Sequence, residues 1–468
     1  MNDARWNNLG QAREAYVAGL TRPGCLPHEA FLEVSARCNL RCRMCAIAHD
    51  TRYKTDSGRP AMLEPTTFRR LRGLFPNLLK AYLYGLGEPT LNRHLVDYIS
   101  ELTDAGVEAW FTTNATLIDR EYAHRVARAG AQRVSVSLDG ITPETYESIR
   151  IGGRFKDAIR GLSALCEARQ RFGNPMVTVN FVAMGSNLGE LPDLVDTVIG
   201  MGVEEINVEP LFAWDTAGPL DRHYSQESLN AIDETWAREV IERAADRSAA
   251  AGVHFSSYLV ATDGSMDYPR RVAVRNQVRP RCGEPWGTVF VTTAGEIRTC
   301  CLNDRVFGLI DDRTVEETWR GDEFAEFRQH HVSGKPPADC EICMTNGRSK
   351  ISPHLDAVKA VIHRPFSLEP EPKAVEGWSL IEPPNGQTTS DPLTIKGYTP
   401  LSTAGPVPEI AIDDIRVGDV RSGTIKHGVF TLELKVPYLT EGVHMLSLVR
   451  GTNGAPGWSR RVFRHRRL

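Results

Sequence analysis

Between residue 31 and about residue 210 one pattern recurs. A short β-branched or aromatic run is followed by a polar stretch with apolar positions every three or four residues. The runs Phe31–Ser35, Lys80–Gly85, Val107–Thr112, Arg133–Leu138, Met176–Val182 and Glu204–Val208 read as strands. Stretches such as EYAHRVARAG at 121–130 read as helices between them. This alternation predicts an α/β fold with a parallel sheet, because parallel neighbours need a crossover connection. Six units rather than eight favour an incomplete (β/α)6 barrel, with a doubly wound open sheet as the alternative. In both architectures ligands bind at the carboxyl ends of the strands.

The pattern changes further along. Residues 1–30 read as a helical extension and 31–235 as the partial barrel. A long helix is expected over 227–252, running from the end of the barrel into a connecting segment at 236–281. Residues 282–350 surround an expected hairpin whose turn centres on Ala294-Gly295. Pro365, Pro370 and Pro372 mark a linker at 351–375. Beyond it, LTIKGY, EIAIDDIRVG, FTLELKVP and VHMLSLVR alternate apolar and polar positions, which predicts a C-terminal immunoglobulin-like β-sandwich over 376–468.

Composition narrows the class. The 468 residues are 41% hydrophobic and 24% charged, a globular mixture. Lys+Arg 55 against Asp+Glu 59 gives a net charge of -4, so no nucleic-acid or acidic-lipid partner is expected. The sequence has no apolar run of membrane-spanning length and its N-terminus is polar, which points to a cytoplasmic protein with no membrane partner.

Ten cysteines carry the chemistry. In a reducing compartment clustered thiols mean metal or catalysis more often than disulfides. Cys38, Cys42 and Cys45 follow the first strand with the spacing C-x3-C-x2-C. Three thiolates leave a tetrahedral zinc site incomplete, but suit a [4Fe–4S] cluster that keeps one iron open.

That motif after the first strand of a strand–helix repeat resembles the radical S-adenosylmethionine (radical SAM) superfamily, over about residues 31–350. The resemblance implies that SAM chelates the open iron and is cleaved to a 5′-deoxyadenosyl radical. An external one-electron reductant such as flavodoxin or ferredoxin would feed the cluster. Later strand ends agree with the family pattern. Gly87 and Glu88 in YGLGEP resemble its Gly-Glu motif, which receives the SAM amino group. Asn114 lies in a Thr-Asn-Ala like the family's Thr-Asn-Gly. Ser137 and Asp139 in SVSLDG resemble the segment holding ribose and carboxylate, and Asn180 falls where the fifth strand completes the adenosyl pocket. Met44 replaces the usual aromatic residue before the last cysteine and is large enough to shield the cluster edge.

Cys282, Cys300, Cys340 and Cys343 form a second group that resembles a shortened SPASM, or twitch, extension. The group implies one fully ligated auxiliary [4Fe–4S] cluster, with a four-cysteine zinc site as the alternative. The twitch form implies a small carbohydrate or aminocyclitol-like substrate, oxidised with the auxiliary cluster as electron acceptor. Two rivals stay open: an epimerase with Cys301 as hydrogen donor, and a peptide-modifying enzyme. A non-catalytic cluster scaffold or redox sensor is the alternative from a different class. Trp214, Tyr224 and Trp286 line a pocket or pack, and His330-His331 reads as a helix surface pair.

Overall fold

The computed structural model describes residues 3–48, 58, 60–211, 223, 226–257, 282–301, 303–338 and 340, together with nine strands between 379 and 465. Two compact units emerge: residues 29–271 with 288–319, and residues 1–28 with 272–287 and 320–468.

The first unit is built on one sheet. Its strands are β1 (Glu29–Leu32), β2 (Lys80–Tyr82), β3 (Glu108–Thr113), β4 (Arg133–Ser137), β5 (Met176–Ala183), β6 (Glu205–Pro210), β7 (His254–Ser257), β8 (Thr288–Val291), β9 (Glu296–Arg298) and β10 (Gly308–Leu309). Their order is β10-β9-β8-β1-β2-β3-β4-β5-β6-β7. From β8 through β7 all neighbours are parallel, so the six expected strands form a consecutive parallel run. Two features were not anticipated. A seventh strand, His254–Ser257, continues the sheet beyond β6, and β8 pairs in parallel with β1 at the other end of the parallel run. The β8–β9 hairpin itself forms as expected: the Gly295 amide donates to the Thr292 carbonyl at 2.9 Å, with Gly295 at φ 76°. The long helix begins later than the pattern suggested. It spans Glu234–Ala250 because Asp233 caps it, accepting from the Trp236 amide at 2.7 Å.

Alternation divides the sheet into two unlike faces. Ala81, Ala109, Phe111, Val134, Val136, Val177, Val179, Ile206 and Val208 point to one side and are buried with Leu162, Leu165, Leu194 and Val198 of the helices Phe155–Phe172 and Leu191–Met201. Burial of such side chains stabilises by roughly 1.5–3 kcal/mol each. Among the intervening residues Trp110, Thr112, Ser135, Ser137 and Asn180 are half-buried, whereas Lys80, Tyr82 and Thr178 are buried. The helix-free face is therefore partly open, and its upper rim is where the strand-end loops gather.

In the second unit, Trp286 is fully buried against Ala15 and Tyr16 of the helix Asp3–Ala18, and its indole donates to the Leu20 carbonyl at 2.7 Å. Trp286 is thus a packing residue, while Trp214 and Tyr224 lie outside the described residues. His331, on the helix Asp322–Val332, is buried beside Phe327 at 5.0 Å between ring centroids, which corrects the surface reading of the histidine pair. Toward the C-terminus the nine strands form a four-stranded and a five-stranded sheet. Leu393 and Ile395 on one strand and Leu432 on its partner are buried, the period-2 pattern of a sheet with one covered face. The proposed linker 351–375 and residues 258–281 lie outside the described residues.

Candidate functional site

Four strand-end loops converge at the carboxyl edge of β1–β5. The cysteine loop comes first, after β1. Its backbone is held by two bonds that bracket Cys42: Arg41 donates to the Ile151 carbonyl at 2.8 Å and Arg43 to the Ile149 carbonyl at 3.0 Å. Cys42 is buried, Cys38 and Cys45 are half-buried, and all three pack with Leu40, Met44, Ile149, Met184 and Leu211. Burial in this apolar patch pushes the Cys38 thiol up to about 11 and Cys45 up to about 12, and raises Cys42. Deprotonating thiols so placed costs more than usual, so they would persist as thiolates only with a cation beside them. Met44 belongs to the same patch, 8% exposed.

The loop after β2 presses directly on the cysteine loop. A Cβ added to Gly87 would stand 2.2 Å from the Ser35 carbonyl oxygen and 2.5 Å from that of Arg37, so only glycine fits. The next residue, Glu88, is 3% exposed. Its amide donates to the Arg37 carbonyl at 2.7 Å. Its Oε1 accepts from the Thr90 amide, the Thr90 hydroxyl and the Thr113 hydroxyl at 3.1, 2.7 and 2.7 Å, and its Oε2 from the Asn114 amide at 2.8 Å. Burial raises this carboxyl above its ordinary range, although all those donors oppose the shift. Glu88 is thereby a junction between the loops after β1, β2 and β3.

After β3, the Asn114 side chain donates to Asn39 Oδ1 at 2.9 Å and lies 3.9 Å from Cys38 Sγ. It accepts from the amide and hydroxyl of Thr116 at 3.0 and 2.6 Å. Ala115 follows at φ 59°, a left-handed conformation, at the position where the resemblance puts glycine.

Ser137 and Asn180 are register partners on β4 and β5, half-buried on the open face. Asn180 accepts from Asn207 at 3.2 Å. Asp139 differs from what its motif suggested. It has no exposed surface; Oδ2 takes two nitrogens of Arg150 at 2.7 and 2.6 Å, and Oδ1 the Val182 amide at 2.8 Å. The carboxylate is wholly buried, with the Arg150 guanidinium as its ion-pair partner. Arg150 was not singled out from the sequence, where an isolated arginine after a short helix carries no signal.

Aromatic residues below this rim also escaped the sequence reading. Phe31 stacks on Tyr82 with centroids 4.4 Å apart, Tyr84 meets Phe31 edge-on at 5.9 Å, and Trp110 meets Tyr82 at 5.7 Å. Lys80 and Arg133 lie over the Trp110 ring at 4.1 and 4.5 Å, and Arg133 pairs with both Glu205 oxygens at 2.8 Å. Across β4–β6 the same face is polar, with Ser135 and Thr178 joined at 2.7 Å. The signal for this wall was present as aromatic residues at alternate positions (Tyr82, Tyr84), but only strand pairing brings them side by side.

The second cysteine group is seen in part. Cys300 is half-buried and Cys301 exposed, both just after β9 in the first unit. Cys282 and Cys340 are half-buried in the second unit, and the Cys340 amide donates to the Pro337 carbonyl at 2.8 Å. Cys343 lies outside the described residues.

Comparison with known proteins accords with this arrangement. The family model "Radical SAM superfamily" matches residues 32–198, and "Iron-sulfur cluster-binding domain" (SPASM) matches 282–344. The chain is 33% identical over 206 residues to the GTP 3',8-cyclase of Petrotoga mobilis, covering 43% of this chain and 61% of that one. It is 24% identical over 334 residues to the PqqA peptide cyclase of Bradyrhizobium diazoefficiens, covering 68% and 79%. Of the curated relatives it matches first, the chain spans 51% and 61%. A similar fold is found in Streptococcus suis SuiB bound to S-adenosylmethionine, with a TM-score of 0.51, 16% identity, and coverage of 66% of this chain and 69% of that one. No helix among the described residues is long and apolar enough to cross a membrane. The first of these domains implies SAM with a [4Fe–4S] cluster, and the second implies auxiliary iron–sulfur binding. The chain carries a radical SAM domain over residues 32–198 and a SPASM iron–sulfur cluster-binding domain over 282–344.

Proposed function

We propose that Cys38, Cys42 and Cys45 hold the SAM-binding [4Fe–4S] cluster of an enzyme that oxidises a small hydroxylated substrate. The donor set supports the ligand assignment: three thiols share one apolar patch, on a loop pinned from both sides of Cys42. When bound, the cluster supplies the electron that cleaves SAM to methionine and a hydrogen-abstracting 5′-deoxyadenosyl radical.

The chain's own residues have separate tasks in this reading. Gly87 lets the loop after β2 approach the cysteine loop. Glu88 and Asn114 keep the loops after β1, β2 and β3 in register. Ser137 and Asn180 present polar atoms on the open face for SAM, whereas Asp139 acts through its ion pair with Arg150. Cys282, Cys300, Cys340 and Cys343 are the proposed ligands of an auxiliary cluster, which would provide an acceptor for the second electron of an alcohol oxidation.

The observation that carries the substrate class is the composition of the open face. An aromatic wall of Phe31, Tyr82, Tyr84 and Trp110 stands beside hydroxyls and amides on β4–β6. A carbohydrate or aminocyclitol has that duality, with C–H faces for aromatic rings and hydroxyls for polar partners. Incubation of the reduced enzyme and SAM with deuterated polyol candidates tests it. Deuterium entering 5′-deoxyadenosine, with one ketone formed per deoxyadenosine, is the expected result; 5′-deoxyadenosine without substrate-derived deuterium from any polyol would sink the substrate class.

Peptide modification is the second reading. It is favoured by the similarity to PqqA peptide cyclase, which extends over 334 residues, well past the partial barrel. A mass change in a peptide, with every polyol inert, would decide for it.

A further inference from the structure

We propose that Arg150 is a positioning residue that raises the reduction potential of the cluster assigned to Cys38, Cys42 and Cys45, with Asp139 setting how much of its charge the cluster feels. The inference rests on that cluster assignment and goes beyond it.

The geometry begins with the backbone. Cys42 lies between Arg41 and Arg43, whose amides donate to the carbonyls of Ile151 and Ile149. Arg150 lies between those two carbonyls, so the pairing sets Cys42 opposite Arg150. The helix Pro143–Ile149 ends here, and the Arg150 amide still donates to the Tyr146 carbonyl at 2.8 Å. The side chain turns inward and is 8% exposed. Its Nε and Nη2 engage Asp139 Oδ2, which leaves Nη1 3.9 Å from Cys42 Sγ, within reach of a hydrogen bond to sulfur. Asp139 is itself fixed by the Val182 amide and, at its carbonyl, by the Asn187 side chain at 3.0 Å. The guanidinium therefore cannot swing away without breaking a buried ion pair.

A guanidinium keeps its charge at every accessible pH. With little water around it, that charge is weakly screened. Reduction takes one electron from an external donor and adds one negative charge to the cluster. A fixed cation donating to a ligand sulfur stabilises the reduced state more than the oxidised one, and hydrogen bonds and net charge at the sulfurs are the levers that set such potentials. Asp139 opposes the effect while holding the cation in place.

The test is an anaerobic potentiometric titration followed by EPR, reading the signal that changes when SAM is added, which marks this cluster in the full chain. Arg150→Gln is expected to make reduction about tenfold less favourable, roughly 59 mV for one electron. Asp139→Asn is expected to shift the potential upward, and Arg150→Lys to stay close to wild type. Opposite signs for the Gln and Asn variants separate a charge effect from loosening of the loop, which would move both the same way. Shifts of the same sign, or none in either variant with iron content intact, would overturn the proposal. If Arg150→Gln loses its cluster, an unchanged or lowered potential in Asp139→Asn overturns it alone. Wild-type iron content unaffected by Cys42→Ala would instead overturn the cluster assignment beneath it.

Discussion

The amide of Asn114 donates to Glu88 Oε2 at 2.8 Å, tying the end of β3 to the loop after β2 through a buried carboxylate. The other oxygen of Glu88 gathers Thr90 and Thr113, and its own amide reaches the Arg37 carbonyl one residue before Cys38. One side chain thus couples three loops that the sequence keeps dozens of residues apart. Replacing it by alanine strands four donor groups in a dry site. Hydrogen bonds to a charged group contribute about 1.5–3 kcal/mol each, and stranded partners cost more. Glu88→Ala is expected to lose at least about 3 kcal/mol of stability by that reasoning, measured by urea unfolding of the iron-free protein, with Glu88→Gln intermediate. Equal stability of all three proteins would show that the junction contributes nothing.

Gly87→Ala probes the contact between the same two loops. The added methyl would enter the backbone of Ser35 and Arg37, which cannot yield as a flexible side chain does. Overpacking of this kind costs about 1–3 kcal/mol. The variant is expected to melt several degrees lower and to retain less iron after reconstitution. Wild-type iron with wild-type melting would show that the loops separate freely.

Acid should loosen the support of the helix that leads to Arg150. Glu190 accepts from the Ile141 amide and from the hydroxyls of Thr142 and Thr145, at the start of the helix Pro143–Ile149. Burial acts to raise its pKa, but those hydrogen bonds prevail and hold it below its ordinary 4.5. A depressed carboxylate contributes stability that is present above its unfolded pKa and lost as pH falls through the folded one. Wild type should therefore lose stability relative to Glu190→Gln as pH drops below about 4.5, and differ from it by a constant amount above pH 6. A pH-independent difference between the two melting curves would refute this.

Iron and zinc analysis addresses the second cysteine group. With [4Fe–4S] clusters at both groups, wild type is expected to hold about eight irons per chain and Cys282→Ala/Cys300→Ala about four. About four irons in both proteins, with one zinc in wild type, would make the second group a structural clamp.

Cys301 separates oxidation from epimerisation. It is exposed just after β9, one residue beyond a proposed ligand. If the enzyme is an alcohol dehydrogenase of this radical type, Cys301→Ala should leave product yield within about twofold of wild type, since surface changes rarely propagate. A variant that cleaves SAM but yields quenched or oxidised substrate, where wild type yields an inverted carbon, would assign the thiol as a hydrogen donor.

The strand-and-helix alternation between residues 31 and 210 was legible because its period is local: apolar positions two apart make strands and three to four apart make helices, and parallel pairing follows from the crossovers. The three cysteines of the first group were legible for the same reason, since C-x3-C-x2-C lies within one loop. Tertiary structure decided what depends on distant partners. The edge strand His254–Ser257 is too short to stand out and exists because β6 offers it a ladder, and the hairpin strand Thr288–Val291 joins the parallel sheet only through its pairing with β1. Asp139 sits in a motif that points to the ligand, yet it faces Arg150, because a buried guanidinium demands a carboxylate. Sequence by itself carried the motifs at the strand ends; packing decided which of those side chains are left part-exposed, as Ser137 and Asn180 are, and which are buried against partners, as Glu88 and Asp139 are.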